Sequence, residues 1–377
     1  MRFSGRYGNA GQWIKTLLGS VLSRQQEKRI MTYAIVCLLT AALSAGATWL
    51  LCRKLSARLG MRELGVKEIP LAVRDIPGKD EYVPRCGGLL PSAAVFATAL
   101  VMLLLHALLC RLGSPSGTPR LSGLQNMYVW GGLILAPLFC AAGFMEDYAE
   151  VFRSVRRAMP RWQSVLIRMA VATAFLAAIW LAGDRGAGMT VIPFVGEVRL
   201  GFWYYPLSLL LITAVVRGAE LSQEAEGTVP MVGFFSFLPL VLTAGILSSV
   251  NAGMADAGIM AIAGACGCLA FLPFNHMPAR LLTGRAGGAF MGGLLCAAAF
   301  AQRMPVLLLL VGGVFIAESV TALFAWVTER LCGRMVGAPL HRMIGRKEKN
   351  DEQITLILAA VTAVSGAAAA ALAIFTI

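Results

Sequence analysis

Charge is what this 377-residue chain has least of: 14% of its residues are Asp, Glu, Lys or Arg, and 58% are hydrophobic. Soluble globular domains carry about 25% charged residues. With a mean hydropathy of +0.72, the balance excludes disorder, a collagen repeat and a coiled coil. It leaves a chain whose solvent is largely lipid. Histidine is nearly missing, with three in the whole sequence, and no disulfide or zinc framework is readable. Of nine cysteines, seven (Cys37, Cys52, Cys110, Cys140, Cys266, Cys268 and Cys296) lie in or beside apolar runs, where cysteine acts as a small hydrophobe. Cys266 and Cys268 form a CxC with no second pair and no histidine nearby, which argues against zinc. Acidic residues are outnumbered, 20 against 33 basic, for a net charge of +13. In a soluble protein that excess would suggest nucleic acid. In a membrane chain it points to anionic headgroups or a phosphorylated substrate, and no nucleic-acid partner is expected.

What is present is a series of long apolar runs. A bilayer core about 30 Å thick needs roughly 20 apolar residues as helix. Ten stretches qualify, at about 31–52, 88–111, 126–145, 163–183, 201–216, 229–250, 254–274, 287–302, 305–327 and 353–376. The fifth and eighth are the shortest. The fold class is therefore an all-α polytopic membrane protein of ten transmembrane helices. Residues 1–30, with Trp13, Leu17, Leu18, Val21 and Leu22 at helical spacing among Lys15, Arg24, Lys28 and Arg29, suggest an interfacial amphipathic segment. They do not suggest a signal peptide, because the following apolar run is too long and lacks a small-residue cleavage pattern. The stretch Thr190–Leu200 places β-branched residues around Val-Gly-Glu and predicts a small outer β-hairpin.

Orientation follows from loop charge. The loops after odd-numbered spans (53–87, 146–162, 217–228, 275–286 and 328–352) hold 21 Lys and Arg, against 11 on the other side. This predicts five cytoplasmic loops, both termini outward, and a ten-span domain over 31–377. The predicted cytoplasmic loops also carry His276, His341 and most loop carboxylates, so a site would open to the cytoplasm. Arg168, just inside the fourth span, falls outside this tally.

Five cytoplasmic segments carry polar residues in a recognisable order. They are Pro84-Arg85-Cys86-Gly87-Gly88, Gly143-Phe144-Met145-Glu146-Asp147-Tyr148, Glu220-Leu221-Ser222-Gln223-Glu224-Ala225-Glu226-Gly227, the stretch from Phe274 to Arg285, and Pro339-Leu340-His341-Arg342-Met343. On these segments the chain resembles the polyprenyl-phosphate N-acetylhexosamine-1-phosphate transferases, in particular the phospho-N-acetylmuramoyl-pentapeptide transferase (MraY) branch. The resemblance runs from about residue 50 to 377 and is strongest over 274–293 and 312–319. It implies ten spans, outward termini, a cytoplasmic magnesium site, the bacterial inner membrane and a homodimer. It also implies transfer of phospho-N-acetylmuramoyl-pentapeptide from a UDP carrier to undecaprenyl phosphate, giving lipid I and UMP in peptidoglycan synthesis. Such a reaction brings two anionic groups together, so charge must be neutralised by Mg²⁺ on carboxylates or by cationic side chains. A carboxylate could also take the proton of the lipid phosphate.

The departures from the family pattern are selective. Its paired aspartates correspond to Glu146 and Asp147, and two further aspartates to Gln223 and Glu226; its Asn before them is Glu220. Its Met-Gly-Asp, whose aspartate is a metal ligand, becomes Thr283-Gly284-Arg285, its triple histidine is reduced to His341-Arg342-Met343, and a nearby lysine becomes Glu150. Backbone-shaping residues such as Pro84, Gly87, Gly88, Gly143, Asn275, Pro278 and Gly284 are retained. Arg285 reverses the local charge by two units; even a like pair of unit charges 4 Å apart costs about 4 kcal/mol at an effective dielectric near 20. A degenerate site is expected, with Mg²⁺ absent or weakened and no residue assigned to metal.

The resemblance assigns candidate catalytic roles to Glu146, Asp147 and Glu226, and substrate binding to Glu220, Gln223, Asn275, Arg280, Arg285, His341 and Arg342. Each has a plainer reading. Glu146 and Asp147 could cap a helix or pair with Arg153, Arg156 or Arg157. Glu220, Glu224 and Glu226 could form a solvated acidic loop after Arg217. Arg280 and Arg285 suit bidentate phosphate contact, or an ordinary positive-inside loop, and His341 a phosphate contact or nothing. Glu318, inside the ninth span, is a functional candidate by position or a helix–helix hydrogen bond. His106 suits the interface, and Gly287-Gly288, Gly292-Gly293 and Gly312-Gly313 suit close helix packing. Three functional expectations follow. One is a non-catalytic homologue that binds polyprenyl phosphate, a UDP-sugar or an envelope-assembly partner. Another is a divergent active transferase using Glu146, Asp147 and Glu226 with Arg285 in place of metal charge. The third, an unrelated ten-span transporter, would favour inverted repeats, which are not evident.

Overall fold

The computed structural model describes residues 24–58, 85–112, 123–153, 160–184, 189–192, 196–250, 254–276, 279–332, 337–345 and 351–374. The proposed interfacial segment lies outside the described residues up to residue 23, as do Pro84, Met277 and Pro278. The elements that matter are α1 (Arg24–Arg58), α2 (Leu89–Leu112), α3 (Gly132–Arg153), α4 (Arg161–Ile179), β1 (Met189–Ile192), β2 (Gly196–Arg199), α5 (Tyr204–Leu221), α6 (Thr228–Val250), α7 (Met254–Asn275), α8 (Gly284–Ala301), α9 (Gly313–Cys332), α10 (Leu340–Gly345) and α11 (Asp351–Ile374). Among the described residues nine helices are long and apolar enough to cross a membrane, and a tenth span results if one bent pair counts as one. The architecture is an all-α polytopic membrane protein.

Helices are forced on the apolar runs because lipid offers no partner for a bare backbone N–H or C=O. Once formed, they associate by close contact more than by hydrophobic drive. That explains why the most buried helix is the one with the smallest side chains. In α8, 94% of its apolar window is buried, against 28% for α1 and α4. Its neighbours are α3, α5 and α7. A Cβ at Gly288 would come within 2.7 Å of the Ala219 carbonyl oxygen, at Gly292 within 2.9 Å of Val216, and at Gly293 within 2.9 Å of Phe139. The paired glycines of this helix are thus packing residues, as their spacing predicts.

Gly312-Gly313 behaves differently. The ninth span is not a continuous rod: Pro305–Val311 and Gly313–Cys332 meet at 79°, and a Cβ at Gly313 would meet nothing within 4 Å. This glycine pair marks a break, and the close contact its spacing suggests is made at Gly312, where a Cβ would come within 3.2 Å of Val215 on α5. The predicted hairpin is present, with Met189 opposite Arg199 and Ile192 opposite Gly196 in antiparallel register. The fifth helix outruns its predicted apolar stretch, continuing through Arg217 and Glu220, because both charges find partners there. His106 is not simply interfacial: its Nδ1 lies 2.7 Å from Asp256 Oδ1, joining α2 to the first turn of α7.

Candidate functional site

Four helices converge opposite the hairpin end of the bundle: α3 two turns before its end, the last turn of α5, the first two turns of α4 and the first turn of α8. Arg168 sits at their centre with no exposed surface. It lies seven residues into α4, about 10 Å below the helix start at 1.5 Å per residue. Helical side chains lean toward the N-terminus, and a long cationic one can reach back toward the interface. Its Nη1 accordingly donates to the carbonyl and hydroxyl oxygens of Ser164, one turn earlier. Nη1 also donates to Glu146 Oε1 at 2.7 Å, and Nε donates to Glu220 Oε1 at 2.6 Å. One guanidinium thereby bridges α3, α4 and α5.

Two further arginines close the arrangement. Arg217 Nη1 lies 3.0 Å from Glu220 Oε2, and Arg285 Nη1 lies 3.6 Å from Glu146 Oε2. The charges alternate as Arg285, Glu146, Arg168, Glu220, Arg217. Asp147 adds the sixth: its Oδ2 accepts from the backbone N–H of Ala286 at 3.2 Å, where the dipole of α8 favours an anion. Three arginines and three carboxylates leave the cluster neutral. Gly143 permits the approach, since a Cβ there would come within 2.6 Å of the Arg285 carbonyl oxygen.

A second constellation orders the α7–α8 connection. Asn275 donates through Nδ2 to the Leu281 carbonyl at 2.8 Å, and its Oδ1 accepts from Gly227 N–H at 3.0 Å and Thr283 Oγ1 at 3.1 Å. Glu226 Oε2 accepts from Ala279 N–H at 2.9 Å. Gly227 and Gly284 have φ of 77° and 66°, a region L residues with a Cβ avoid, so both turns depend on glycine. Arg280 is exposed on this connection, and Gln223 is partly buried in the short turn before Glu224.

The third constellation joins α9 to α10. Glu318 is fully buried and accepts from the N–H groups of Leu340 and His341 at 3.0 and 2.9 Å. His341 places Nδ1 3.2 Å from both Glu318 oxygens and Nε2 3.1 Å from Glu224 Oε2. Arg342 Nε also donates to Glu224 Oε2, at 2.9 Å. Burial opposes charging the ring, but the two carboxylates outweigh it and push His341 up to about 9. The ring is an imidazolium at neutral pH, with both nitrogens donating.

Of the residues expected to share one site, the structure places Glu146, Asp147, Glu220 and Arg285 in one cluster, Glu226 and Asn275 in a second, and His341 and Arg342 in a third. The acidic stretch 220–226 is not a solvated loop: Glu220 is 1% exposed and ion-paired. Glu146 pairs with Arg168 and Arg285; the side chains of Arg153, Arg156 and Arg157 lie outside the described residues. Arg168 was missed because it belongs to no loop. Its signal was available: a charge inside a span is a functional candidate by default.

The profile of the glycosyl transferase family 4 matches residues 129–302, which contain every member of the first two constellations. Among curated proteins, the chain is 29% identical over 243 residues to a phospho-N-acetylmuramoyl-pentapeptide-transferase of Heliobacterium modesticaldum, covering 60% of this chain and 74% of that one. A protein of the same name from Clostridium perfringens (strain SM101 / Type A) is 25% identical over 289 residues, covering 76% and 81%. One from Rhodopseudomonas palustris is 27% identical over 295 residues, covering 67% and 80%. The bundle is that of a multi-pass membrane protein, and these matches make it similar to membrane glycosyl transferases. Within that class, the chain is similar to the MraY-like transferases of glycosyl transferase family 4.

Kinship of this kind implies a divalent-metal requirement in the family, and the residues here do not fit one. Hard cations such as Mg²⁺ need several free oxygen ligands at about 2.1 Å. Among the described residues no group of three His, Cys, Asp or Glu side chains could hold a metal ion. Glu146 and Glu220 are bound to Arg168. A divalent ion about 4 Å from that guanidinium would be repelled by roughly 8 kcal/mol at an effective dielectric near 20.

Proposed function

We propose that this chain is an MraY-like membrane protein that binds polyprenyl phosphate, with a UDP-sugar or an envelope-assembly partner, and has given up metal-dependent sugar-1-phosphate transfer. The observation that carries the reading is the Arg168 guanidinium between Glu146 and Glu220. An ion-paired carboxylate is a weak base and a poor metal ligand, so neither of the roles the reaction asks of it is open. The site faces the cytoplasm and both termini face outward on the loop-charge asymmetry of 21 against 11. A homodimer follows from the family resemblance.

The test is a transfer assay on the purified full chain with UDP-N-acetylmuramoyl-pentapeptide and undecaprenyl phosphate, with Mg²⁺ or with EDTA, paired with native mass spectrometry of bound lipid. The expected result is retained undecaprenyl phosphate with no lipid-linked sugar in either condition. Mg²⁺-dependent product would overturn the reading. Product that survives EDTA and disappears in Arg285→Ala and Asp147→Asn would favour the divergent transferase, in which Glu146, Asp147 and Glu226 act beside Arg285.

A further inference from the structure

We infer that Arg303, at the hairpin end of the bundle, is a receptor for the phosphate of a lipid headgroup, with Thr190 of the hairpin as a second donor. The backbone at this position calls for glycine. Just past the end of α8, Arg303 N–H donates to the Phe300 carbonyl at 2.9 Å and Met304 N–H to the Ala299 carbonyl at 3.2 Å. The residue at the centre of such a cap takes the left-handed conformation and is usually glycine. Arg303 holds it with a φ of 57°, and among the described residues it is the one non-glycine that does so. An arginine kept where glycine fits better is there for its side chain.

The fold makes no use of that side chain. A basic residue after a helix commonly serves the last carbonyls, but here all four are taken. Gln302 N–H donates to Ala298, the cap serves Ala299 and Phe300, and Gln125 Nε2 donates to Ala301 at 3.0 Å. Among the described residues the Arg303 side chain has no hydrogen bond or ion pair, and its Nε is buried without a partner. An arginine that only snorkelled would hydrate its head. A buried donor with nothing to donate to is costly, so the position points to an acceptor from outside the chain.

The surroundings select that acceptor. Ala301 ends a helix long and apolar enough to span the bilayer, which sets Arg303 at headgroup depth. Strand β1 packs on the turn that follows, Pro305–Leu307. Its Thr190 is 1% exposed, and Thr190 Oγ1 has no hydrogen-bond partner among the described residues. Elements in contact thus offer a cationic fork and a hydroxyl, both without an acceptor. A guanidinium fork matches the paired oxygens of a phosphate, and the anion concentrated at that depth is a lipid headgroup. The seat lies at the opposite end of the bundle from Arg168, so it stands or falls independently of the transfer assay.

The experiment uses the full chain, delipidated in detergent, with phosphatidylglycerol, inorganic phosphate or neither added. Unfolding temperature and lipid bound by native mass spectrometry are read for wild type, Arg303→Gly and Thr190→Val. Wild type should gain unfolding temperature with phosphatidylglycerol and not with inorganic phosphate. Arg303→Gly suits the backbone, so without lipid it should unfold at or above the wild-type temperature. It should nonetheless bind phosphatidylglycerol roughly tenfold more weakly, the size of one lost charge-assisted contact. Thr190→Val should weaken binding by less. An Arg303→Gly chain that binds the lipid as wild type does, or that is already less stable without lipid, would overturn the inference. An equal gain of wild type from inorganic phosphate would overturn the lipid as the source. The side chains of Asp184 and Glu197 lie outside the described residues. If Asp184→Asn or Glu197→Gln destabilises wild type but not Arg303→Gly, Arg303 has a carboxylate partner and the inference is likewise overturned.

Discussion

His341 shows how far a single side chain can be committed by its surroundings. Both ring nitrogens face carboxylates, Glu318 on one side and Glu224 on the other. The folded state raises its affinity for a proton from the ordinary value of 6.5 to about 9. The protonated ring therefore stabilises the fold fully below pH 6.5, and that contribution, up to about 3 kcal/mol, is lost as pH rises through 9. Unfolding temperature in detergent should fall across this window, and His341→Gln should flatten the slope. A profile unchanged by His341→Gln would show that the ring is neutral. Arg168 makes the complementary case. Truncating one partner of a buried ion pair costs about 3–5 kcal/mol, so Arg168→Met should lower stability by an amount of that order in EDTA. None of these partnerships is readable in a single sequence. Arg168 and Glu220 stand 52 positions apart, and which helix faces which is set by packing, not by hydropathy.

Elements meet through glycine in this bundle, and the consequences differ sharply between positions. A Cβ at Gly218 would run into the carbonyl of Phe315 on α9, whereas at Gly46 on α1 it would meet nothing within 4 Å. Gly218→Ala should therefore separate α5 from α9 and lower the unfolding temperature well below wild type. Gly46→Ala should be neutral or gain up to about 1 kcal/mol from helix propensity. Equal effects of the two substitutions would refute the close α5–α9 contact. The spans themselves are legible in sequence because twenty apolar residues admit few other states in lipid. The hairpin is legible because β-branched residues flank a glycine. The bend at Gly312 is not, since a glycine pair permits a close crossing and a sharp break equally. Here it does both: a Cβ at Gly312 would press on Val215 of α5, while one at Gly313 would meet nothing within 4 Å.

At the scale of the whole molecule, the polar residues gather at one end of the bundle and the hairpin at the other. Sequence order predicts that much: the motifs fall after alternate spans, so ten crossings bring them to one side. Sequence order also brings Arg285 to the acidic pair after α3, where its Nη1 meets Glu146 at 3.6 Å. The proposal that this side faces the cytoplasm rests on its excess of Lys and Arg, 21 against 11, because basic loops resist translocation. Arg280 and Arg199 are exposed at the two ends and serve as reporters. With the nine native cysteines changed to serine, Arg199→Cys should react with a membrane-impermeant maleimide in intact spheroplasts. Arg280→Cys should react only after permeabilisation. The reverse pattern would invert the topology and move the arginine–carboxylate cluster to the outer face, away from any nucleotide-linked sugar, leaving the lipid phosphate as the ligand within reach.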